Sequence, residues 1–250
     1  MITSTLKMLL KHPYQAINNL NKARIPAPYR GRPELRSEGV DKDTLKKCVQ
    51  MCPTGAVAQS PFSIDMGKCI FCGECERMMP KNIHFTQSWR IWSLTRQGLI
   101  VTADDDTINL KEFKPLRRPL FNLALKLRQV CAGGDGAAEM ELTASDNVNF
   151  DMRHYGISFT ASPRHADGLV LTGPITRGMA DALRITYDAI PEPKVLILVG
   201  ADAISGGLFA QSSEIDRSFL EGKQVNLYVA GNPPHPLAFI GGVRDLISRR

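Results

Sequence analysis

The feature that most constrains this chain is a concentration of cysteines between residues 48 and 80. Five of the six cysteines lie in this segment, and three follow the spacing Cys69-x-x-Cys72-x-x-Cys75. This spacing lets three thiolates from one loop reach a cube of iron and sulfide. A zinc site also uses C-x-x-C pairs, but it has no need of three cysteines in one tight loop. A disulfide framework is disfavoured in a chain of 250 residues without a secretory signal.

The same segment resembles two-cluster bacterial ferredoxin domains. Their run C-x-x-C-x-x-C-x-x-x-C-P sends its last cysteine to the cluster of the other run. Cys52 is followed by Pro53, as that pattern requires. The resemblance therefore implies one 4Fe-4S cluster with a set of four ligands, namely Cys52, Cys69, Cys72 and Cys75.

The second cluster of such a domain has lost its ligands in this sequence. Its positions hold Lys42, Leu45, Cys48 and Met79, so that a single cysteine remains. The resemblance thus implies one cluster and not two, and Cys48 is most simply a buried remnant. No catalytic residue is predicted.

Positive charge is concentrated at the start of the chain, where residues 1–36 carry seven Lys or Arg and one acidic residue, Glu34. The first residues predict a short amphipathic helix that ends near Pro13. Such a basic helix suits an anionic membrane surface or a membrane subunit. A solvated arm packed on a neighbouring protein is the alternative. Nucleic acid binding is disfavoured, because no aromatic stacking platform or binding motif is present.

Hydrophobic residues make up 43% of the sequence, which is typical of globular proteins. No run approaches the ~18 apolar residues of a membrane span, and no signal peptide is evident. We therefore expect a peripheral protein on the cytoplasmic face of the cell membrane.

Four parts are predicted along the chain: a basic arm and leader (1–40), a ferredoxin-like α+β module (41–95), a linker (96–118) and an α/β domain (119–250). In the last part, strands are predicted at 156–162, 168–174, 194–201 and 225–231, with helices at 179–190 and 239–250. This alternation is typical of an open parallel sheet with helices on its faces. Sites in such sheets gather at the carboxyl ends of strands.

A second resemblance rests most specifically on three sequence segments at or near those strand ends. They are SPRHAD (162–167), LTGPITR (171–177) and PEPKVLILVGADAISGGLF (191–209). They are similar to the small subunit of membrane-bound nickel-iron hydrogenases of the formate hydrogenlyase type and to the 20 kDa subunit of respiratory complex I. The resemblance covers residues 119–250. It implies a flavodoxin-like domain, a large subunit and membrane-embedded subunits as partners, and a fusion of two neighbouring subunits.

That family holds a proximal 4Fe-4S cluster with four cysteines, and this chain departs from it at every one. The matching positions are Asp135, Ala138, Asp202 and Asn232, while Cys131 lies four residues too early. Such groups do not replace thiolates around an iron-sulfur cube, so we expect this cluster to be absent. Three of the four could instead hold Mg or Ca through oxygen. Alternatively, the acids hydrogen-bond water, backbone, or Arg164 and His165.

Glu139 and Glu141 match acidic positions of the family pattern and could cap a helix or serve a proton path. Two functions therefore stay open. One is an iron-sulfur electron-transfer subunit of a hydrogenase-like or complex I-like oxidoreductase, not catalytic by itself. The other is a scaffold whose cluster is structural and whose small-subunit fold docks the large subunit.

Overall fold

The computed structural model describes residues 2–11, 15–17, 19–103 and 124–247. Most of the predicted linker lies outside these residues. The helices are α1 (Ile2–Lys11), α2 (Lys42–Met51), α3 (Glu74–Met78), α4 (Ala137–Ala144), α5 (Arg177–Asp188), α6 (Ala201–Ser205) and α7 (Pro236–Leu246). The strands are β1 (Pro33–Leu35), β2 (Val57–Gln59), β3 (Phe62–Asp65), β4 (Ile83–Phe85), β5 (Trp92–Ser93), β6 (Ile100–Thr102), β7 (Leu125–Cys131), β8 (Ile157–Phe159), β9 (Gly168–Thr172), β10 (Val195–Val199) and β11 (Leu227–Val229).

The cysteine segment folds as a small α+β module. It contains an antiparallel sheet in the order β2-β3-β6 and a two-stranded ribbon of β1 and β4. Helix α2 begins after Asp41, whose carboxylate accepts hydrogen bonds from the backbone N–H groups of Asp43 and Thr44. It ends at Met51, just before Cys52 and Pro53. The helix thus places Cys48 in its last turns and Cys52 at its carboxyl end.

The second half of the chain is built on a six-stranded sheet in the order β5-β11-β10-β9-β7-β8. Strands β7 to β11 are mutually parallel, and β5 adds an antiparallel edge. Every residue of β9 and β10 is buried, as expected for inner strands covered on both faces. Counted within this domain, the parallel order is 2-1-3-4-5, which is the flavodoxin-like arrangement. The predicted α/β fold class is confirmed.

Individual elements follow the sequence prediction closely. Strands β8, β9, β10 and β11 fall within the four predicted strands, α5 and α7 overlap the two predicted helices, and α1 ends before Pro13. Strand pairing near the predicted module boundary at residue 95 involves both sheets. Strand β5 pairs with β11 of the large sheet, whereas β6 pairs with β3 of the small one. A 3-10 turn at Gln97–Leu99 separates these strands, so that residues 92–102 contribute to two sheets.

The two halves pack against each other through residues of both. Trp89 and Trp92 stack with ring centroids 5.6 Å apart. A Cβ added to Gly241 of α7 would lie 2.7 Å from the Trp92 ring, so the absence of a side chain there makes room for the tryptophans. The Trp92 indole N–H donates to Asp245 at 3.0 Å. The hydrophobic core is continuous across both halves.

A second contact brings the cysteine loop to the large sheet. A Cβ added to Gly67 would lie 2.8 Å from Ile204 of α6. Arg96 fixes this turn because its guanidinium binds both carboxylate oxygens of Asp65, at 2.8 and 2.5 Å. Cys69 is two residues from Gly67, and Asp202 is two residues from Ile204. The cysteine loop and the predicted position of the replaced cluster therefore lie on either side of one contact.

Candidate metal centre and the neighbouring switch-point crevice

The four predicted ligands surround one cavity in the N-terminal module. Cys52 comes from the end of α2, Cys69 and Cys72 from the loop before α3, and Cys75 from α3 itself. All four line the cavity, together with apolar neighbours such as Val57, Ile64 and Phe85. Cys69 and Cys75 are buried, whereas Cys52 and Cys72 are partly exposed. Every cysteine is a free thiol.

Backbone N–H groups point at the sulfurs of this site. The N–H of Ala56 donates to Cys52 Sγ at 3.2 Å, and the N–H of Phe71 donates to Cys69 Sγ at 3.3 Å. The loop achieves this with Phe71 in the left-handed region at φ 55°, a rare conformation for a residue with a large side chain. The Phe71 ring packs edge-on against Phe85 of β4. Burial raises the pKa of Cys69, and the Phe71 N–H opposes this effect.

Without a bound metal the buried sulfurs favour the thiol form. Burial, followed by the neighbouring cysteines, raises the pKa of Cys69 to about 12. Burial and the neighbouring Cys72 raise the pKa of Cys75 to about 12. Thiolates this costly in apolar surroundings need a strong positive partner. Four soft sulfur donors around a cavity fit an iron-sulfur cube.

Zinc is the alternative metal for a four-cysteine site. Zinc binds thiolate at about 2.3 Å, so four sulfurs must converge on one point. Within residues 2–11, 15–17, 19–103 and 124–247, no group of three or more His, Cys, Asp or Glu side chains is placed to hold a single metal ion. The cysteines instead line a cavity.

Three of the four positions of a second ferredoxin cluster are occupied by core side chains, whereas the fourth, Lys42, is exposed. Leu45, Cys48 and Met79 are 2%, 0% and 4% exposed. The Cys48 thiol donates to the sulfur of Met78 at 3.9 Å. Cys48 also lines the same cavity as the four predicted ligands, so it is a fifth sulfur at the site as well as a core residue. Burial raises its pKa.

The positions that the sequence resemblance assigns to a proximal cluster follow the carboxyl ends of β7, β10 and β11 in the large sheet. Cys131 ends β7, Thr172 ends β9, and Asp202 follows β10. Ala138 of α4 lies 3.9 Å from the point where a Gly200 Cβ would be. The Ala201 N–H donates to the Gly231 carbonyl next to Asn232, at 2.9 Å. Ligands in open α/β sheets bind in this crevice at the carboxyl ends of the strands.

Acidic groups dominate this crevice. Burial, then Asp135 and Glu139, raise the pKa of Asp202. Glu139 accepts a hydrogen bond from Thr172, which is fully buried. Desolvation and a hydrogen bond to Glu139 raise the pKa of Cys131. Asp135 accepts the Ala137 N–H at 2.9 Å at the start of α4. The surroundings thus raise the proton affinity of Asp202 and Cys131. The crevice offers one thiol, whereas a cube needs four ligands.

The predicted basic partners of these acids are not at the crevice. Arg164 and His165 lie in an exposed turn. No hydrogen bond or ion pair joins them to Asp135, Asp202, Glu139 or Glu141 in the described part of the chain. Asp135 instead accepts the Ala137 backbone N–H, and Glu139 accepts a hydrogen bond from Thr172. The proposed Mg or Ca site also lacks a set of ligands that converges on one ion there.

Arg217, which no sequence pattern indicated, stabilises the backbone at the side of the crevice. The Arg217 guanidinium donates to four carbonyl oxygens at 2.8 to 3.4 Å: those of Pro174, Asp202, Ala203 and Ile204. Burial and the nearby Arg96 lower its pKa. Arg217 lies in no recognisable motif, whereas Thr172 could have been found as the last residue of a buried strand within LTGPITR.

The family model described as NADH ubiquinone oxidoreductase, 20 Kd subunit, matches residues 131–246. An NADH-quinone oxidoreductase subunit of Clostridium beijerinckii is 34% identical over 168 residues, which is 66% of this chain and 90% of that protein. The chain belongs to this family. The corresponding NADH-quinone oxidoreductase subunit of Herpetosiphon aurantiacus is 35% identical over 150 residues, or 60% of this chain and 76% of the relative.

Among solved structures, the 20 kDa subunit family member resembles a chain of the membrane-bound sulfane sulfur reductase, an archaeal respiratory membrane complex. The identity is 27%, the TM-score is 0.46, and the match covers 52% of this chain and 75% of the other. The family match spans the parallel-sheet half, from the last residue of β7 to the last residue of α7. The cysteine module at 48–80 lies outside it.

Proposed function

We propose that this member of the 20 kDa subunit family is an iron-sulfur electron-transfer subunit of a membrane-bound, complex I-like or hydrogenase-like oxidoreductase. In this proposal a ferredoxin-like module is fused to the family domain and carries one 4Fe-4S cluster on Cys52, Cys69, Cys72 and Cys75. The observation that carries the proposal is the convergence of these four cysteines on one cavity, with backbone N–H groups directed at the sulfurs of Cys52 and Cys69.

The chain's own residues would hold and shield the cluster. A bound cube supplies one-electron chemistry. The apolar walls of the cavity exclude water on the side of Val57, Ile64 and Phe85, while Cys52 and Cys72 lie partly exposed. A redox partner would approach from that exposed side. The family's own cluster position would remain without a cluster, since the crevice offers Cys131 as its thiol together with carboxylates, a methyl group and an amide.

Complex membership is proposed from the family. Relatives are named as subunits of NADH-quinone oxidoreductase, so we expect a large subunit at the switch-point face and membrane-embedded subunits nearby. No helix of the described residues has the length and apolarity of a membrane span. Peripheral attachment at the cytoplasmic face would then use partner contacts and the basic arm, whose α1 exposes Leu6, Met8 and Leu10.

The test is the metal content of the anaerobically reconstituted full chain. We expect about four irons and four sulfides per chain, with a cubane electron paramagnetic resonance signal on reduction. Cys52→Ala should abolish the signal. The matched variants are Cys48→Ala and Cys131→Ala, which should keep it, because neither belongs to the complete ligand set.

A content near eight irons in the unmodified chain would contradict the single-cluster proposal. Loss of the cluster in Cys48→Ala, with its retention in Cys52→Ala, would show that the buried Cys48 is a ligand in place of Cys52. Both cysteines line the cavity, so this comparison decides between them.

The scaffold function is the second candidate, and it is favoured by the crevice that lies between the cluster module and the expected large subunit. Electron transfer across the molecule would have to pass this crevice without a cluster. An assembled complex with Cys52→Ala distinguishes the two. Loss of electron transfer with intact assembly supports a redox role, whereas unchanged electron transfer supports the scaffold.

A further inference from the structure

A short segment of the leader crosses the cysteine loop, and we call residues 29–32 the strap. We infer that the strap places the Arg30 guanidinium over the ligand loop in order to raise the reduction potential of the cluster. This inference rests on the proposed function, since it concerns the same cluster site.

The strap is fixed at both ends. On one side the Tyr29 ring packs edge-on against His235, with centroids 5.6 Å apart, and its hydroxyl is buried without a hydrogen-bond partner among the described residues. On the other side the Gly31 N–H donates to the Thr86 carbonyl at 2.6 Å, and the Arg32 N–H donates to the Ser88 carbonyl at 3.0 Å. Strand β1 then pairs with β4. Arg30 is therefore held between two anchored neighbours.

The Arg30 side chain lies directly on the ligand loop. Its guanidinium donates to the Phe71 carbonyl at 3.3 Å, between Cys69 and Cys72. A Cβ added to Gly73 would lie 2.7 Å from Arg30 Nε, so the glycine between Cys72 and Glu74 leaves room for the guanidinium. Phe71 and Gly73 both have positive φ, at 55° and 79°, and the loop conformation that directs an N–H at Cys69 is the one that Arg30 contacts.

The positive charge of Arg30 would raise the reduction potential of the cluster by an electrostatic effect. A cube bound by four thiolates is negative, and reduction adds one further negative charge. A fixed positive charge nearby stabilises the reduced form more than the oxidised form, and local net charge is one determinant of cluster potential. Arg77 also contacts the loop, at the Cys72 carbonyl, but its charge is paired with Glu74. Arg30 forms no ion pair with another residue of the described ranges.

The experiment is a redox titration of the reconstituted full chain, followed by electron paramagnetic resonance, with iron content measured in parallel. Arg30→Gln should lower the midpoint potential, so that the ratio of reduced to oxidised cluster at a fixed potential falls threefold to tenfold. A tenfold change equals about 59 mV for one electron. Arg30→Lys, which keeps the charge, should stay near the wild-type potential.

The matched control is Arg36→Gln, an identical charge change at an exposed arginine that follows β1. It should leave the potential unchanged. The difference between wild type and Arg30→Gln should also shrink from about 10 mM to about 1 M salt, because the screening length falls from about 30 to about 3 Å.

Each outcome separates the inference from the proposed function. Wild-type protein without a cluster overturns both. A cluster whose potential is the same in Arg30→Gln and wild type overturns the role of Arg30 alone. If Arg30→Gln loses iron, Arg30→Lys decides: wild-type iron and potential in the lysine variant support the charge, whereas an equal loss assigns Arg30 to holding the Phe71 carbonyl and overturns the electrostatic role.

Discussion

His235 is a single residue whose protonation state matters for the fold around the crevice. It is the N-cap of α7, and its Nδ1 accepts the Leu237 N–H at 3.1 Å. The rings of Tyr29 and Phe150 pack edge-on against it. Burial lowers the pKa of His235 to about 4. The folded protein therefore keeps this imidazole neutral in a pH range where the unfolded chain protonates it.

The sign of the effect on stability follows from this difference. With the unfolded pKa at about 6.5, the stabilisation is complete above that value and is lost as the pH falls towards 4. Between about pH 7.5 and 5.5 we expect His235 to account for a loss of about 1 kcal/mol, after allowance for solvent screening. His235→Asn keeps a side-chain acceptor at the cap, so its unfolding free energy should fall less over this range.

Anaerobic urea unfolding of the cluster-loaded proteins at both pH values measures this. His235→Ala is the contrasting variant, because it removes the acceptor and should cost about 1 kcal/mol already at about pH 7.5. If His235→Asn lost as much stability as the wild type between the two pH values, the pH dependence would belong to other groups.

At the scale of elements, α1 differs from the rest of the N-terminal leader in the exposure of its apolar side chains. Leu6, Met8 and Leu10 are 57%, 61% and 76% exposed. By contrast, Leu20 and Ile25 are 1% and 7% exposed, and the Ile17 N–H donates to the Asn149 carbonyl at 2.9 Å. The basic arm predicted from the sequence therefore contains an exposed helix and a packed segment. Removing residues 1–36 would damage the fold as well as any membrane contact.

A sharper truncation removes α1 alone. Deleting residues 2–11 should leave iron content and unfolding free energy unchanged, but should reduce the fraction bound to anionic vesicles in a sedimentation assay. Each basic residue near such a surface contributes about 1 kcal/mol, and salt weakens the attraction. Lys7→Gln with Lys11→Gln is the matched variant, which keeps the apolar side chains. Unchanged binding of both proteins would rule out membrane attachment through α1.

The elements also show what the sequence could and could not predict. Buried runs such as VLILV at 195–199 and the Cys-x-x-Cys loop carry their own local signal, and they lie where predicted. Strand β7 was not predicted, and the pairing of β5 and β6 with different sheets was missed because it is set by distant partners. Arg30 and Arg217 were missed for the same reason, since their roles depend on carbonyl groups 41 and 13 to 43 residues away.

For the molecule as a whole, the most informative feature is the position of the cysteine site beside the acidic crevice. They are separated by the contact of Gly67 with Ile204, and Arg96 and Arg217 stabilise the two sides of that contact. The family match spans the crevice, where the sequence resemblance predicts replaced cluster ligands at Asp135, Ala138, Asp202 and Asn232. If the prediction is right, the crevice should bind a cluster when thiolates are introduced at these four positions.

The last prediction is a quadruple substitution, Asp135→Cys with Ala138→Cys, Asp202→Cys and Asn232→Cys. After anaerobic reconstitution, iron should rise from about four to about eight per chain, and a second cubane signal should appear on reduction. The control adds Cys52→Ala to the quadruple variant, which should leave the second signal alone. Asp135 accepts the Ala137 N–H, so its replacement should cost about 1 kcal/mol of stability.

Two results would count against this expectation, and they mean different things. A second cubane signal in the unmodified protein that survives Cys48→Ala would show that the positions aligned to the family cysteines are the wrong ones. A folded quadruple variant that binds no additional iron would show that the crevice has been remodelled around its acids. In that case the acidic side chains of the crevice serve a polar role that excludes a cluster. Burial, then Asp135 and Glu139, raise the pKa of Asp202 there.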